Sequence, residues 1–163
     1  MQMENQKHVH EAKNHAMHYR KLLLMALLSF IVMYILMYSM VNRMANVYPN
    51  INQFYMAGLM ASPMVIIELI VMGSMYMNKK LNLLMIAASA ALLVIFFAFI
   101  RQQAAVSDKQ FLKSMIPHHA GAILMCEGAD IKDPEIKKLC EEIRKSQQAE
   151  IEQMKAKLSE LKK

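Results

Sequence analysis

The sequence is poor in the residues that mark several enzyme classes. Among its 163 residues are four glycines, four prolines, two cysteines and no tryptophan, and the glycines do not cluster. A phosphate-binding loop is therefore excluded, because such a loop needs glycines where the backbone approaches the phosphates. The polar C-terminal third has no Glu-x-x-His pair of the di-iron kind and no nucleophile with a base and an orienting residue. These absences disfavour an enzyme, and a metal-dependent enzyme stays only as a lesser alternative.

Long apolar runs, by contrast, fill most of the first hundred residues. They span residues 22–41, 54–77 and 81–100, and Glu68 is the one charged residue inside them. Each run reaches the roughly 20 residues that cross a hydrocarbon core. Polar sequence precedes the first run and no A-x-A-like cleavage site follows it, so we expect an anchor rather than a signal peptide. We therefore predict three transmembrane helices within residues 21–100.

The positive charge is concentrated near these runs. Residues 1–103 hold 8 basic and 3 acidic side chains, whereas residues 104–163 hold 11 and 10. The net charge of +6 therefore lies beside the membrane helices, and we predict no nucleic-acid partner. An excess of basic residues marks cytoplasmic loops. We accordingly expect a multi-pass protein of a bacterial inner (plasma) membrane, with a cytoplasmic N-terminus and a C-terminal domain that is periplasmic or extracellular. The basic residues that decide this orientation are Lys7, Lys13, Arg20, Lys21, Lys79 and Lys80.

The N-terminal segment, residues 1–20, is polar and contains four histidines. Glu11, His15 and His18 share a face if the segment is helical, which permits a cytoplasmic metal site. A disordered polar tail is the slightly favoured interpretation.

The C-terminal domain, residues 101–163, predicts a helical hairpin. Ser107 and Gln110 fit a capping box at the start of its first helix. Gly128 is expected to end that helix, and Asp133 is expected to cap the second. Apolar residues recur at helical spacing in both segments, which indicates one buried face on each helix.

The stretch MIPHHAGAILMC, residues 115–126, places two imidazoles, two thioethers and a thiol on the first hairpin helix. Residues three, four and seven apart are neighbours on a helix surface. Thioether and thiolate ligands select Cu(I), and imidazole also suits Cu(II) and zinc. A core filled by methionine is the competing interpretation. We predict a metal site in which Cu(I) is favoured while Cu(II) and zinc stay open, with ligands among Met115, His118, His119, Met125 and Cys126.

The hairpin also resembles a known family, the bacterial domain-of-unknown-function family 305. The likeness covers residues 107–161 and rests on FLKSMIPHHAGAILM and DPEIKKLCEEIRKSQQAEIEQMKAKL, with M-I-P-H-H as the hallmark. It implies a ferritin-like helical fold and an exported or membrane-anchored protein tied to copper and heavy-metal handling. It also adds Met154 to the expected ligands. The chain departs from the family in having Cys126 where a small residue is usual, and no tryptophan near Lys157. The matching positions are Met115, His118, His119, Met125, Gln147 and Met154.

The two cysteines leave three interpretations open. A hairpin that turns near Ile131 sets Gln147 opposite Met115 and leaves Cys140 about one turn from Cys126. A disulfide is permitted in an oxidising compartment. A ligand role for Cys126 and plain burial of both thiols are the other two.

Methionines recur at intervals of three or four along the first helix and of four along the second, where Glu68 falls among them. An intramembrane carboxylate is a functional candidate by default. A thioether path for Cu(I) is one hypothesis, but helix packing and lipid contact are favoured. The methionines are Met33, Met37, Met40, Met44, Met56, Met60, Met64 and Met72.

Together these patterns favour an all-α protein of three transmembrane helices followed by an exported, ferritin-like helical hairpin. Its expected function is copper binding at a membrane anchor, in metal buffering, delivery or resistance outside the cytoplasm. The expected partners are the lipid bilayer, the metal ion, a metal transporter or metallochaperone, and a second copy of the chain. The alternative is a helical adaptor of a membrane transporter that binds no metal.

Overall fold

The computed structural model describes the backbone of residues 2–161 and the side chains of residues 17–161. The histidines predicted as an N-terminal metal site, apart from His18, lie outside the described side chains. No strand occurs in the described part of the chain, so the all-α prediction is confirmed. Two short 3₁₀ helices, Met37–Met40 and Met44–Asn46, precede the second of five α-helices: α1 (Gln2–Leu36), α2 (Ile51–Val71), α3 (Lys79–Gln102), α4 (Asp108–Gly128) and α5 (Pro134–Glu160).

Three helical segments are long and apolar enough to cross a membrane, as predicted. They are Met17–Met40, Ile51–Val71 and Lys79–Gln102. The second segment ends at Val71, whereas the sequence predicted Met77. Gly73 favours the early end because glycine is a poor helix former, and Asn78 caps α3 through a bond from Leu81 N to its Oδ1 at 3.0 Å. Residues 2–20 were expected to be a disordered tail, but they form the first part of α1 instead.

The chain divides into two compact units, which we describe separately. The membrane unit comprises Met1–Tyr34 and Tyr55–Gln102. In this unit the hydroxyl of Tyr19 donates to Asn82 Oδ1 at 2.6 Å, and Asn82 Nδ2 donates to the carbonyl of Tyr76 at 2.7 Å. This chain of bonds joins α1, the turn after α2 and α3. The apolar core beside it contains Tyr19, Leu22, Val65, Leu69 and Tyr76.

Glu68 lies in the last turn of α2, close to the end of the candidate span rather than at its centre. Its Oε1 accepts a hydrogen bond from the hydroxyl of Tyr76 at 3.3 Å. The carboxylate therefore faces protein at the helix end, where its desolvation is smaller than at the centre of a bilayer. Met56, Met60 and Met72 are exposed on the surface of this unit. That placement favours lipid contact over a thioether path.

The hairpin unit comprises Ile35–Phe54 and Gln103–Lys163. Helices α4 and α5 pack together around a buried apolar core, onto which Val41 and Tyr48 of the first segment also pack. A Cβ at Gly121 would meet the carbonyl oxygen of Met40 at 3.5 Å, so a small residue permits this approach. The predicted C-terminal domain therefore packs against a segment that precedes α2. The buried core residues of the hairpin unit are Ile116, Ala120, Ile123, Ile151 and Leu158.

Polar bonds fasten the two parts of the hairpin unit. Gln110 Oε1 accepts from the backbone N–H of Ile51 at 3.1 Å, at the first residue of α2. Ser107 occupies the N-cap position of α4 but makes no side-chain capping bond, so the predicted capping box is wrong. Gln110 instead satisfies one of the unpaired N–H groups that every helix start exposes. The cap predicted at Asp133 is confirmed, since its Oδ1 accepts from Glu135 N at 2.8 Å.

Candidate functional site

The two adjacent histidines of α4 point in different directions. His119 is buried, with 7% of its surface exposed, whereas His118 is exposed. Their ring centroids are 6.0 Å apart with planes at 63°. Consecutive residues of a helix are rotated by about 100°, so one side chain faces α5 while the other faces away. The predicted pair is therefore divided between the interior and the surface.

The imidazole of His119 contacts an oxygen atom at each nitrogen. Nδ1 lies 2.9 Å from the carbonyl oxygen of Met115, and Nε2 lies 2.6 Å from Oε2 of Glu150. A carbonyl oxygen can only accept, so the proton at Nδ1 belongs to the ring. This bond fixes the orientation of the imidazole, as a backbone carbonyl bonded to the other ring nitrogen does for many metal-ligating histidines. The Glu150 side chain is 49% exposed, so the outer side of the pair is open to solvent.

His119 and Glu150 border a pocket of about 350 Å³ between α4 and α5. Two predicted sulfur ligands, Met115 and Met154, line the same pocket. The structure thus brings one imidazole, two thioethers and one carboxylate to a single cavity. Its remaining lining residues are Phe111, Leu112, Gln153 and Lys157.

The other predicted ligands lie elsewhere. His118 does not line this pocket, and Met125 is 55% exposed. Cys126 borders a different pocket near the hairpin turn. The structure therefore assembles three of the six predicted ligands and separates His118, Met125 and Cys126 from them.

The pairing of the two helices differs from the one expected from a turn at Ile131. Glu150 and Met154, rather than Gln147, line the pocket with Met115. The backbone is extended at both ends of the connection, with ψ of 135° at Ala129 and 128° at Asp133. An extended connection carries the chain beyond the end of α4, so α5 is displaced by one to two turns from the expected pairing. Glu150 was not among the predicted site residues, and this shift brings it to His119.

Within residues 17–161, no three His, Cys, Asp or Glu side chains come together as a metal-binding group. His119 and Glu150 form a pair only. A metal site in this pocket would therefore depend on the thioethers of Met115 and Met154, which are soft ligands.

The two thiols form a second local arrangement. Cys126 and Cys140 line one pocket together with Arg144. A hydrogen bond with Cys140, together with burial, raises the pKa of Cys126 to about 11, while the charge of Arg144 acts in the opposite direction. The cysteines thus lie next to each other, closer than the expected register placed them. Both are free thiols in this structure.

Comparison with known proteins gives two findings. The family described as Domain of unknown function (DUF305) matches residues 69–158, a range that contains α4 and nearly all of α5. An uncharacterized protein of Acanthamoeba polyphaga mimivirus is 36% identical over 149 residues, an alignment that covers 90% of this chain and 96% of the relative. No solved structure gives a significant match.

Proposed function

The chain belongs to the DUF305 family, and from that premise we propose that it is a membrane-anchored copper-binding protein that buffers or delivers the ion outside the cytoplasm. The observation that carries this proposal is the oriented imidazole of His119 in a cavity shared with two thioethers. His119, Met115 and Met154 are the proposed ligands. Thioether and imidazole together favour Cu(I) over harder ions.

Glu150 is the proposed competitor of the metal. Its carboxylate lies against Nε2, the nitrogen that would bind the ion. The Nδ1 proton is held by the Met115 carbonyl, so Nε2 is the nitrogen left for a metal, and Glu150 occupies it. An imidazole must be neutral to bind a metal, so affinity for copper should weaken in acid. The exposed side of Glu150 leaves room for it to turn away.

The proposed orientation has the N-terminus in the cytoplasm and the hairpin outside. A contact within the hairpin unit supports the three crossings, whereas the direction of insertion rests on the basic residues at the N-terminus and at Lys79 and Lys80. Lys155 on α5 donates to the side chain of Asn46, which lies between the first two spans, so both belong on the same side of the membrane. Three crossings then leave the N-terminus and the turn at Lys79 on the other side. A reporter that is active only in the cytoplasm should be silent when fused after Lys163, and a strong signal would refute the orientation.

The surrounding membrane was expected from the sequence to be the bacterial inner (plasma) membrane, and this stays a prediction. The relative described above is viral. A metal transporter or metallochaperone remains the proposed partner for delivery.

The test of the metal site uses the full-length protein in detergent and a Cu(I) chelator in competition. His119→Gln should lower Cu(I) affinity by at least about tenfold, by the scale of site-residue effects in metal proteins. His118→Gln is the matched control, because it removes the same group from the adjacent, exposed position. It should bind as wild type does.

Folding is controlled in the same experiment. Met115→Leu and Met154→Leu keep the side-chain volume nearly constant, and circular dichroism reports helix content. Each should weaken Cu(I) binding while helix content stays unchanged. If the two leucine variants and His119→Gln all keep wild-type affinity, this pocket does not bind copper.

An adaptor without metal is the second candidate. It is favoured by exposed apolar side chains near the hairpin turn, at Met125, Ile136 and Leu139. An adaptor should retain a co-purifying membrane partner in His119→Gln and lose it in Leu139→Glu. The reverse pattern would reject the adaptor.

A further inference from the structure

The second cavity of the hairpin unit lies where α4 ends and α5 begins. It measures about 250 Å³ and contains both cysteines of the chain. Cys126 lies in the last turn of α4 and Cys140 in the second turn of α5. Both are partly exposed free thiols, and both side chains line this one cavity.

We propose that Cys126 and Cys140 form a site of thiol–disulfide exchange that closes into an intramolecular disulfide when it meets an external disulfide. Closure would join two thiols that the fold already places around the same cavity, one at the end of α4 and one near the start of α5. The closed bond would join α4 and α5 directly across the connection at residues 129–133.

The reaction balances with a protein or small-molecule disulfide as the oxidant. The thiolate of one cysteine attacks a sulfur of that disulfide, so a mixed disulfide forms and one external thiolate leaves. The second cysteine, as a thiolate, then attacks the mixed disulfide and expels the other external thiolate. Two electrons pass to the external disulfide, and the two protons lost by the cysteines end on the released thiols.

The Arg144 cation beside the pair partly offsets the raised pKa of Cys126. Lys137 and Arg144 line the cavity as cations, and Glu141 is the opposing anion. Reactive cysteines are typically partly exposed and close to basic side chains, which stabilise the attacking thiolate. The plain burial considered above leaves no route for an external disulfide, whereas this cavity is open to one.

This site is separate from the proposed copper pocket. Seven residues of α4, or roughly 10 Å of helix, separate Cys126 from His119. Closure of the disulfide follows from the local geometry alone. Its occurrence in the cell rests on the proposed orientation, since an oxidising compartment allows disulfides to persist.

The test equilibrates the full-length protein in detergent with mixtures of reduced and oxidised glutathione, in the presence of a metal chelator. Intact mass measures the loss of two hydrogens, and peptide mapping locates the link. The matched control is Cys140→Ser/Glu142→Cys, which keeps two thiols but turns one to the opposite side of α5. Wild type should form the internal disulfide with an effective thiol concentration at least about tenfold above that of the control.

Two outcomes overturn the proposal. One is that wild type accumulates glutathione adducts or intermolecular dimers instead of the internal bond. The other is that the control closes as readily as wild type, which would mean that the folded geometry contributes nothing. Neither outcome bears on copper binding at His119, so this proposal and the proposed function can fail separately.

Discussion

Replacing Glu150 by glutamine tests whether its carboxylate competes with the metal for His119 or is itself a ligand of the metal. In the metal-free protein, Glu150 contacts Nε2 of His119 at 2.6 Å. A hydrogen bond to a charged group contributes roughly 1.5–3 kcal/mol, whereas a neutral one contributes about 0.5–1.5 kcal/mol. Glutamine retains a neutral bond, so the difference is about 1–1.5 kcal/mol. With half of the Glu150 side chain exposed, solvent reduces this to roughly 1 kcal/mol.

This difference should appear as a gain in Cu(I) affinity. The ion must displace the Glu150 contact before it binds Nε2, and a weaker contact is displaced more easily. About 1 kcal/mol corresponds to roughly a fivefold increase in affinity. Zinc and Cu(II) should respond in the opposite direction, because they accept a carboxylate ligand that glutamine removes.

The assay is chelator competition on full-length Glu150→Gln, with Cu(I) and Zn(II) measured in parallel. Glu142→Gln is the control, because it removes the same charge from an exposed position of α5 and should change neither affinity. If Cu(I) and Zn(II) affinities fall together in Glu150→Gln, the carboxylate is a ligand rather than a competitor. If neither changes, the pocket is not the metal site.

Three further predictions follow from buried or perturbed groups. Ile151 has 0% of its surface exposed, so Ile151→Ala should destabilise the hairpin unit by about 2–5 kcal/mol in denaturant unfolding. Leu139 is 53% exposed, so Leu139→Ala should have little effect. Equal losses of stability in the two variants would contradict the assignment of Ile151 to the core. Cys140→Ala removes the hydrogen bond that contributes most to the raised pKa of Cys126, so more Cys126 should be thiolate at pH 8. Its alkylation by iodoacetamide, followed by peptide mass, should therefore be faster than in wild type. An unchanged rate would show that the thiols do not interact. Pro117→Ala restores a backbone donor inside α4, and it should leave helix content by circular dichroism unchanged while weakening Cu(I) binding; wild-type affinity would mean that the proline does not shape the pocket.

Helix number and type could be predicted because apolar length and periodicity are local properties. The spans and the cap at Asp133 were found in this way. The division between His118 and His119 follows from helix geometry as well, although both histidines were predicted as ligands. The end of α2 was misplaced because apolar residues continue through Met77, and the turn near Gly73 interrupts the helix without interrupting the hydrophobicity.

Contacts between distant parts of the chain were harder to predict. The displacement of α5 by one to two turns depends on the path of residues 129–133, which no periodic pattern specifies. Without that displacement, neither Glu150 beside His119 nor Cys140 beside Cys126 could be recognised. The packing of Val41 and Tyr48 on the hairpin was missed for the same reason, since these residues read as part of a membrane helix and its loop.

The joining of the Ile35–Phe54 segment to the hairpin determines the order in which this protein can assemble. Asn46 and Lys155, which bind each other, are 109 residues apart. A ribosome adds roughly 5–20 residues per second, so the loop waits for many seconds while α3, α4 and α5 are still being made. During that interval Val41 and Tyr48 have no hairpin core on which to pack. Completion of this unit is therefore a late event in biogenesis, and a chain truncated before α5 would present an unfinished apolar loop to chaperones and proteases.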